Sequence, residues 1–375
     1  MKKDKTNYTA WGNEYWENKE EYHKLFEGVM SEEQEQNVEF LEREIIDLHK
    51  NHQISVSNDR KFAVACASGT DALYFSLIGL GIKPGDEVLV TNFSWISSAS
   101  VVSMIGATPV FCDINLDTYH MSLDSIKKMW SSKVKAIIYP HLFGSMSDTR
   151  EILEWCHSFN IKFVEDACQA LGASLNGIRA GTIGDVSALS FNANKPVAGI
   201  AGGGMLLTNS KYIADMARKL RRHGNGEILG YNSKMLLMNA QFISHRLKHL
   251  EEWQIRRQAV AKKYDSYLKD LNLGVQNFHH LKTHLPSDGL NHCYHKYVIR
   301  LPLKEIRDKL KERLKADVHY SKPISENSMY NSIIHRKDDC VNCRKASDTV
   351  LSLPIHPYVT DEEVERICKT IMATV

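Results

Sequence analysis

The sequence predicts an α/β fold with a mostly parallel central sheet, helices on both faces of it, and a smaller C-terminal α/β domain. Strand-like and helix-like segments alternate over about 150 residues from residue 61 onward. The strand-like segments are continuous apolar runs, which is typical of strands buried on both faces. Beyond residue 210 or so the helices become long and highly charged. We therefore expect a helical lead-in (1–60), a large domain (61–249) and a small domain (250–375).

The elements follow in a regular order. An amphipathic helix, EEQEQNVEFLEREIIDLHK, precedes the first strand. The predicted strands of the large domain are KFAVACAS, DEVLVTN, TPVFCDI, VKAIIYPHL, IKFVEDA, SALSFN and GMLLTN. Helical patterns separate the first five strands, and Pro/Gly turns such as KPGDE punctuate them. The small domain is predicted to hold a strand, KYVIRL, and the helices LKEIRDKLKERL and TDEEVERICKTIMATV.

Composition and charge argue against several classes of partner. The 47 basic and 45 acidic residues leave a net charge of +2 without a long basic block, so we expect neither nucleic acid nor a membrane as partner. The longest apolar runs fall well short of the roughly 20 residues that span a bilayer. The polar N-terminus lacks the apolar stretch of a secretory signal. We therefore expect a cytoplasmic protein.

Asp166 and Lys195 indicate the chemistry most sharply. Asp166 ends the run IKFVED, and Lys195 is the only charged residue between Asp185 and Lys211. Ligands of parallel sheets bind at the carboxyl ends of strands, where both residues are expected. A desolvated lysine suits a Schiff base, and a carboxylate can keep the pyridine nitrogen of pyridoxal phosphate (PLP) protonated. A solvated loop lysine and a capping aspartate are the ordinary alternatives, and the pairing of the two residues favours a PLP site.

Five other residues near strand ends fit the same site. Gly69 and Thr70 open a helix and suit a phosphate, although simple helix capping is the commoner explanation of that motif alone. Trp95 could lie flat on a planar ring, whereas a core tryptophan is the ordinary alternative. Gln169 lies three residues after the aspartate, and Ser190 offers a hydroxyl to a phosphate.

Cys340 and Cys343 form an isolated CVNC sequence. A structural zinc site needs four ligands, and the nearest spare ones, His335 and His356, have no standard spacing. We therefore expect a pair of loop cysteines and no metal site.

In their order along the chain, these segments resemble the DegT/StrS-type sugar aminotransferases. That family is a branch of the fold-type-I, aspartate-aminotransferase-like PLP enzymes. The matching segments are SGTDAL, PGDEVLVTNFSW, GATPVFCDIN, PHLFG, VEDACQALGA, SFNANK, GYNSKM, VHYSKP and LSLPIHP. Each motif is modest alone, but their joint order over residues 35–370 is specific. The resemblance implies the PLP-dependent transferase fold type I.

The resemblance also implies residue roles. Lys195 would hold PLP as a Schiff base and move a proton between substrate and cofactor, and Asp166 would pair with the pyridinium nitrogen. The other implied contacts, to the ring face, the ring hydroxyl and the phosphate, come from Trp95, from Gln169, and from Gly69, Thr70 and Ser190. Asn232 would reach in from the partner subunit of a homodimer with shared active sites. His319 and Tyr320 would approach the substrate.

Two positions depart from the family pattern. Gly202 stands where an acidic residue is usual, and Lys234 stands where arginine is usual. Arginine grips a carboxylate or phosphate with two parallel hydrogen bonds and lysine does not. Both departures affect the expected substrate contacts more than the cofactor site.

The implied reaction transfers an amino group from L-glutamate to a keto-sugar by ping-pong kinetics. A nucleotide-linked sugar is the favoured acceptor, and a keto-polyol or keto-phosphate stays open. A sugar dehydratase on the same scaffold is the first alternative, but those relatives carry histidine where Lys195 stands. A non-catalytic ligand-binding or regulatory member is the second, and the intact set of Lys195, Asp166 and Gln169 argues against it.

Overall fold

A computed structural model describes residues 14, 17–29, 35–50, 59–268 and 290–375 of the chain. Helices α1 (Lys19–Val29) and α2 (Glu35–Leu48) precede the first strand. No helix among these residues is both long and apolar enough to cross a membrane.

The central sheet has the strand order β1-β9-β8-β5-β4-β2-β3-β12 within the described residues. Strand β9 runs antiparallel to both of its neighbours, and the remaining pairs are parallel. The strands are β1 (Phe62–Cys66), β2 (Glu87–Thr91), β3 (Thr108–Cys112), β4 (Val134–Pro140), β5 (Lys162–Asp166), β8 (Val186–Ser190), β9 (Gly204–Thr208) and β12 (Arg336–Lys337). The predicted α/β fold with a mostly parallel sheet is confirmed.

Both faces of this sheet are buried, as the apolar strands predict. In β1, Ala63 and Ala65 belong to one apolar core, while Val64 and Cys66 belong to another on the opposite face. The first core includes residues of α2, α5 (Leu123–Met129), α6 (Arg150–Ser158) and α8 (Leu237–Leu247). The second includes residues of α3 (Gly69–Gly79), α4 (Ser97–Met104) and α7 (Lys211–Leu220).

The C-terminal part of the chain builds a separate apolar core. Its antiparallel strands are β11 (Tyr297–Arg300) and β13 (Val350–Leu353). Its helices are α9 (Leu250–Leu268), α10 (Lys304–Leu314), α11 (Val341–Thr349) and α12 (Asp361–Met372). A small sheet of β10 (Leu290–Asn291), β6 (Ser174–Leu175) and β7 (Ile178–Arg179) joins this part to the rest.

The expectation that Cys340 and Cys343 form a loop pair is wrong. Both are buried at the start of α11, with Cys343 inside its first turn. The Asp113 carboxylate accepts hydrogen bonds from the N–H groups of Asn342 and Cys343, at 2.9 and 2.8 Å. Cys340, Cys343 and Asp113 lie close together because Asp113 caps a helix that begins far along the chain. The sequence alone could not indicate this contact.

Candidate active site

Asp166 lies at the carboxyl end of β5 and is buried. Its Oδ2 accepts a hydrogen bond from the Ser98 hydroxyl at 2.8 Å. Its Oδ1 accepts one from the N–H of Cys168 at 3.2 Å. Both carboxylate oxygens therefore have fixed donors, which hold the group in one orientation at the strand end.

Gln169 is buried beside it and joins the two parts of the molecule. Its Oε1 accepts a hydrogen bond from the N–H of Phe143 at 3.0 Å. Its Nε2 donates to the hydroxyl of Tyr320 at 3.0 Å. These partners fix which amide atom is the donor. An amide nitrogen carries two hydrogens, so one remains for a ligand.

Gly69 and Ser190 converge at the N-terminus of α3. A β-carbon at position 69 would lie 2.8 Å from the β-carbon of Ser190, so only glycine fits. The Ser68 hydroxyl caps the helix by accepting from the N–H of Asp71 at 3.0 Å. The N–H groups of Gly69 and Thr70 have no acceptor inside their own helix, which suits an anion. The cradle fits the phosphate of PLP.

Lys195 lies in the loop that joins β8 to β9. Burial lowers the pKa of its amine, and the negative charge of nearby Asp166 offsets part of that effect. At Gly204, where β9 begins, a β-carbon would lie 2.1 Å from the carbonyl oxygen of Ser68. Only glycine therefore allows the end of this loop to pack directly against the phosphate cradle.

The alternative of a core tryptophan at position 95 is wrong. Trp95 is 60% exposed. Its carbonyl accepts from the N–H of Ser98 at 3.2 Å, and the Ser98 side chain binds Asp166. The exposed ring is thus attached to the turn that fixes the carboxylate, where it is available to a planar ligand.

Asn232 is exposed, and the adjoining Ser233 anchors its segment. The Ser233 hydroxyl binds Asp71 at 2.9 Å, and its carbonyl accepts from the N–H of Ala67 at 3.0 Å. The segment thus lies near the N-terminus of α3 in its own chain. The reach of Asn232 into a partner's site remains a prediction.

An open cavity adjoins Lys195. His319 lines it, and its Nδ1 lies 2.8 Å from the Ser352 hydroxyl. The approach of His319 to a substrate remains a prediction. Several lining residues were not found from the sequence, among them Glu14, Arg246, Arg257, His295 and Lys296. They lie in the lead-in, in two helices and just before β11. The sequence carries no motif for them, apart from the two basic residues that precede the run YVIR.

The lead-in reaches this cavity through a buried ion pair. Both carboxylate oxygens of Glu14 contact the Arg246 guanidinium, and both residues are buried. A further N–H group of Arg246 donates to the carbonyl of Ala198 in the Lys195 loop. The Tyr22 hydroxyl donates to Glu14, and its ring stacks on Phe242. Residue 14 is thus connected to the loop that carries the lysine.

Comparison with known proteins places this arrangement in a family. The model of the DegT/DnrJ/EryC1/StrS aminotransferase family matches residues 30–372. The chain belongs to this family. Because the family depends on PLP, the protein is a PLP-dependent aminotransferase.

Relatives of this aminotransferase agree in length as well as in sequence. It is 33% identical to the "UDP-N-acetyl-3-dehydro-alpha-D-glucosamine 3-aminotranferase" of Acidithiobacillus ferrooxidans, over 83% of this chain and 84% of the relative. It is 31% identical to the "Pleiotropic regulatory protein" of Geobacillus stearothermophilus, over 85% and 86%. A crystal structure of a Brucella abortus family member covers 97% of each chain with a TM-score of 0.83 and 27% identity.

The family match covers only part of the candidate site of this aminotransferase. The residues around Asp166 and Lys195 fall inside the matched range, whereas Glu14 precedes it. One wall of the cavity is therefore built by a segment that the family model does not describe.

Proposed function

We propose that this aminotransferase moves an amino group from L-glutamate to a keto-sugar, with a nucleotide-linked sugar as the favoured acceptor. The observation that carries the proposal is the position of Lys195. Its amine has a lowered pKa, lies close enough to Asp166 to be affected by its charge, and lines an open cavity. The sugar relatives of the family support the acceptor class.

The described residues could hold PLP as follows. Gly69, Thr70 and Ser190 would bind its phosphate, and the spare N–H of Gln169 would bind its ring hydroxyl. The Asp166 carboxylate would hold the ring nitrogen protonated, and Trp95 would cover one face of the ring. When bound, PLP supplies an electron sink for the carbon that gains or loses the amine.

Lys195 would transfer the proton through its Nζ atom. Because burial disfavours the charged form, a larger fraction of this amine is neutral at a given pH than for an exposed lysine. A neutral amine beside the substrate carbon can accept its proton and deliver it again on the cofactor side. Asp166 would assist this proton transfer by keeping the ring nitrogen of PLP protonated.

A homodimer is supported by an exposed apolar surface near Asn232. Leu229 is 95% exposed and Leu236 61% exposed, and Ile228 and Tyr231 are also exposed. Contiguous exposed apolar side chains usually mark an interface. We propose that this surface binds a second copy and that Asn232 thereby reaches the partner's phosphate site. The three-part domain division and the cytoplasmic location remain predictions.

The absorbance spectrum of the purified protein, before and after addition of L-glutamate, tests the proposal. We expect a visible cofactor band that bleaches with L-glutamate in the wild type and is absent from Lys195→Ala. An unchanged band would point to another donor. Screening of keto-sugars against the bleached form would then identify the acceptor by return of the band.

A regulatory role is the second candidate, because one relative is named a regulatory protein. It predicts no cofactor band even after incubation with PLP. A sugar dehydratase would instead release water from its substrate without amine transfer, and the lysine at position 195 argues against it.

A further inference from the structure

The cavity beside Lys195 has an excess of positive charge. Five cationic side chains line it, against two carboxylates. The cations are Lys195, Arg246, Arg257, Lys296 and Lys315, and the carboxylates are Glu14 and Asp317. A partly buried set of cations is costly unless anions balance it. The balance must come from the protein itself or from a ligand.

The two carboxylates do not neutralise the cations in the inner part of the cavity. Glu14 is committed to Arg246, since both of its oxygens contact that guanidinium. Asp317 is exposed at the rim, as is Lys315. The inner cations without a carboxylate contact among the described residues are Lys195, Lys296 and Arg257.

Lys296 is partly buried at the start of β11, and its side chain lines the cavity. The structure gives its amine no hydrogen-bond acceptor among the described residues. Burial, with a further contribution from the charge of Lys195, lowers the pKa of Lys296 to about 8, while the charge of Asp317 opposes the shift. Its amine is thus half-charged near pH 8 and free to bind.

Arg257 strengthens the positive field without being neutralised. One of its N–H groups donates to the carbonyl of Ile355 at 2.6 Å and to that of Tyr294 at 3.3 Å. Its buried Nε has no partner in the part of the chain that the structure describes. Burial lowers the pKa of Arg257 to about 10, so it stays charged at neutral pH.

The three histidines of the cavity, His295, His319 and His356, do not change this balance near pH 7. Burial lowers the pKa of His319 to about 4, and the charge of Lys296 contributes. Burial also lowers the pKa of His295 well below its usual range and that of His356 to about 4. The three rings are therefore neutral and can donate or accept hydrogen bonds at the cavity wall.

We propose that this cavity binds an anionic group of a substrate, a carboxylate or a phosphate, through Lys296 with Arg257 beside it. The inference rests on the proposed function, because it places that anion next to the lysine that transfers the amine. The source of the group is either the carboxylate of the amino donor or an acidic group of the acceptor. Either one would occupy the space between Lys195 and Lys296 and offset their mutual repulsion.

The proposal has a defined pH dependence. The anion binds the charged form of Lys296, so binding raises the pKa of this residue above about 8 and takes up protons. Affinity should therefore weaken as pH rises above about 8. Among the other groups facing Lys296, the histidines His295, His319 and His356 are already neutral and Arg257 is charged. Lys195 also has a lowered pKa and can titrate in the same direction. The Lys296→Met variant keeps Lys195, so it separates the two contributions.

The test is calorimetric titration of the cofactor-loaded protein with two probes, glutarate for a donor carboxylate and pyrophosphate for an acidic acceptor. We expect Lys296→Met to weaken at least one of them at least about tenfold at pH 7. The matched control Lys315→Met removes a charge at the exposed rim and should change affinity less than about twofold. Lys296→Arg should keep binding and hold it up to pH 9.5 or so, because a guanidinium stays charged.

The two probes distinguish the sources of the anion. A loss confined to glutarate assigns the site to the amino donor, and a loss confined to pyrophosphate assigns it to the acceptor. If Lys296→Met binds both probes as tightly as the wild type across the pH range, the proposal is wrong. Failure of the proposed function looks different, because it removes amine transfer to keto-sugars, whereas the calorimetry needs no turnover.

Discussion

The two sides of Lys195 are built in different ways. On the cofactor side, Asp166, Ser190 and Gly69 stand at or just after the ends of strands in one sheet and offer short side chains or backbone groups to a ligand. On the cavity side, Glu14 and Arg246 are long charged side chains separated by 232 positions in the chain. The first side follows from local geometry of the sheet, whereas the second depends on how distant segments meet.

This difference suggests which side can vary. The backbone at a strand end holds a short side chain in one position relative to the sheet. The cofactor side of the site therefore tolerates little substitution. Ion pairs between distant helices can be replaced together without disturbing a strand. We therefore expect substitutions on the cofactor side to affect chemistry and those on the cavity side to affect stability and substrate affinity.

The largest expected effect is that of Lys195→Ala. Removal of the amine should reduce amine transfer at least about 10⁴-fold, because both the covalent attachment and the proton shuttle disappear. Initial rates with L-glutamate and an accepted keto-sugar measure this, with circular dichroism as a check of folding. Lys162→Ala, at the partly exposed start of β5, is the matched control and should keep most of the activity. Full activity in Lys195→Ala would contradict the assignment.

Glu14→Ala tests the cavity side. It leaves the Arg246 guanidinium buried without its carboxylate, so the free energy of unfolding should fall by about 3–5 kcal/mol. Urea denaturation measures this loss. The double variant Glu14→Ala/Arg246→Met should recover much of it, since no uncompensated charge then remains. A single variant as stable as the wild type would mean that the lead-in does not hold this wall.

Glu165 and Asp166 are adjacent carboxylates for which we expect different roles, one in stability and one in chemistry. Burial raises the pKa of Glu165, but the hydrogen bond from His141 at 2.9 Å and the charges of His141 and Arg60 outweigh it, so the pKa ends below its usual value. A lowered folded-state pKa gives stability that is present above the unfolded-state pKa, about 4.3, and is lost as pH falls below it.

Unfolding in urea at about pH 7, 5 and 3.5 tests this expectation. The wild type should lose stability between about pH 5 and 3.5, and Glu165→Gln should be less stable at pH 7 with a weaker dependence over that interval. Asp166→Asn is the matched control: it should impair amine transfer while changing stability much less. Equal pH dependence in wild type and Glu165→Gln would rule out this role for Glu165.

The smallest expected effect is that of Trp95→Ala. The ring is 60% exposed, so the free energy of unfolding should change by less than about 0.5 kcal/mol. Loss of ring stacking should weaken PLP binding by up to about tenfold, and Trp95→Phe should recover most of it. Titration of the apoprotein with PLP, followed by absorbance, measures both variants. A large loss of stability with unchanged PLP affinity would instead make Trp95 a structural residue.

Much of the fold and of the cofactor cradle followed from the sequence. Continuous apolar strands separated by helices fix a parallel sheet covered on both faces, and side chains at strand ends then meet at one edge. Asp166, Gln169, Ser190 and Gly69 were found in this way. The family resemblance supplied their roles, which spacing alone left open between a ligand site and helix caps.

The tertiary structure decided what distant segments do. It showed that Asp113 caps the helix that begins at Val341, that Trp95 is exposed, and that Glu14 lines the cavity beside Lys195. It also placed Lys296 where burial lowers its pKa to about 8. The spacing of apolar and polar residues determines which helices and strands form, because it depends only on residues within a few positions of each other along the chain. Burial, ion pairing and pKa depend on atoms brought together by packing, and no pattern along the chain records which atoms those will be.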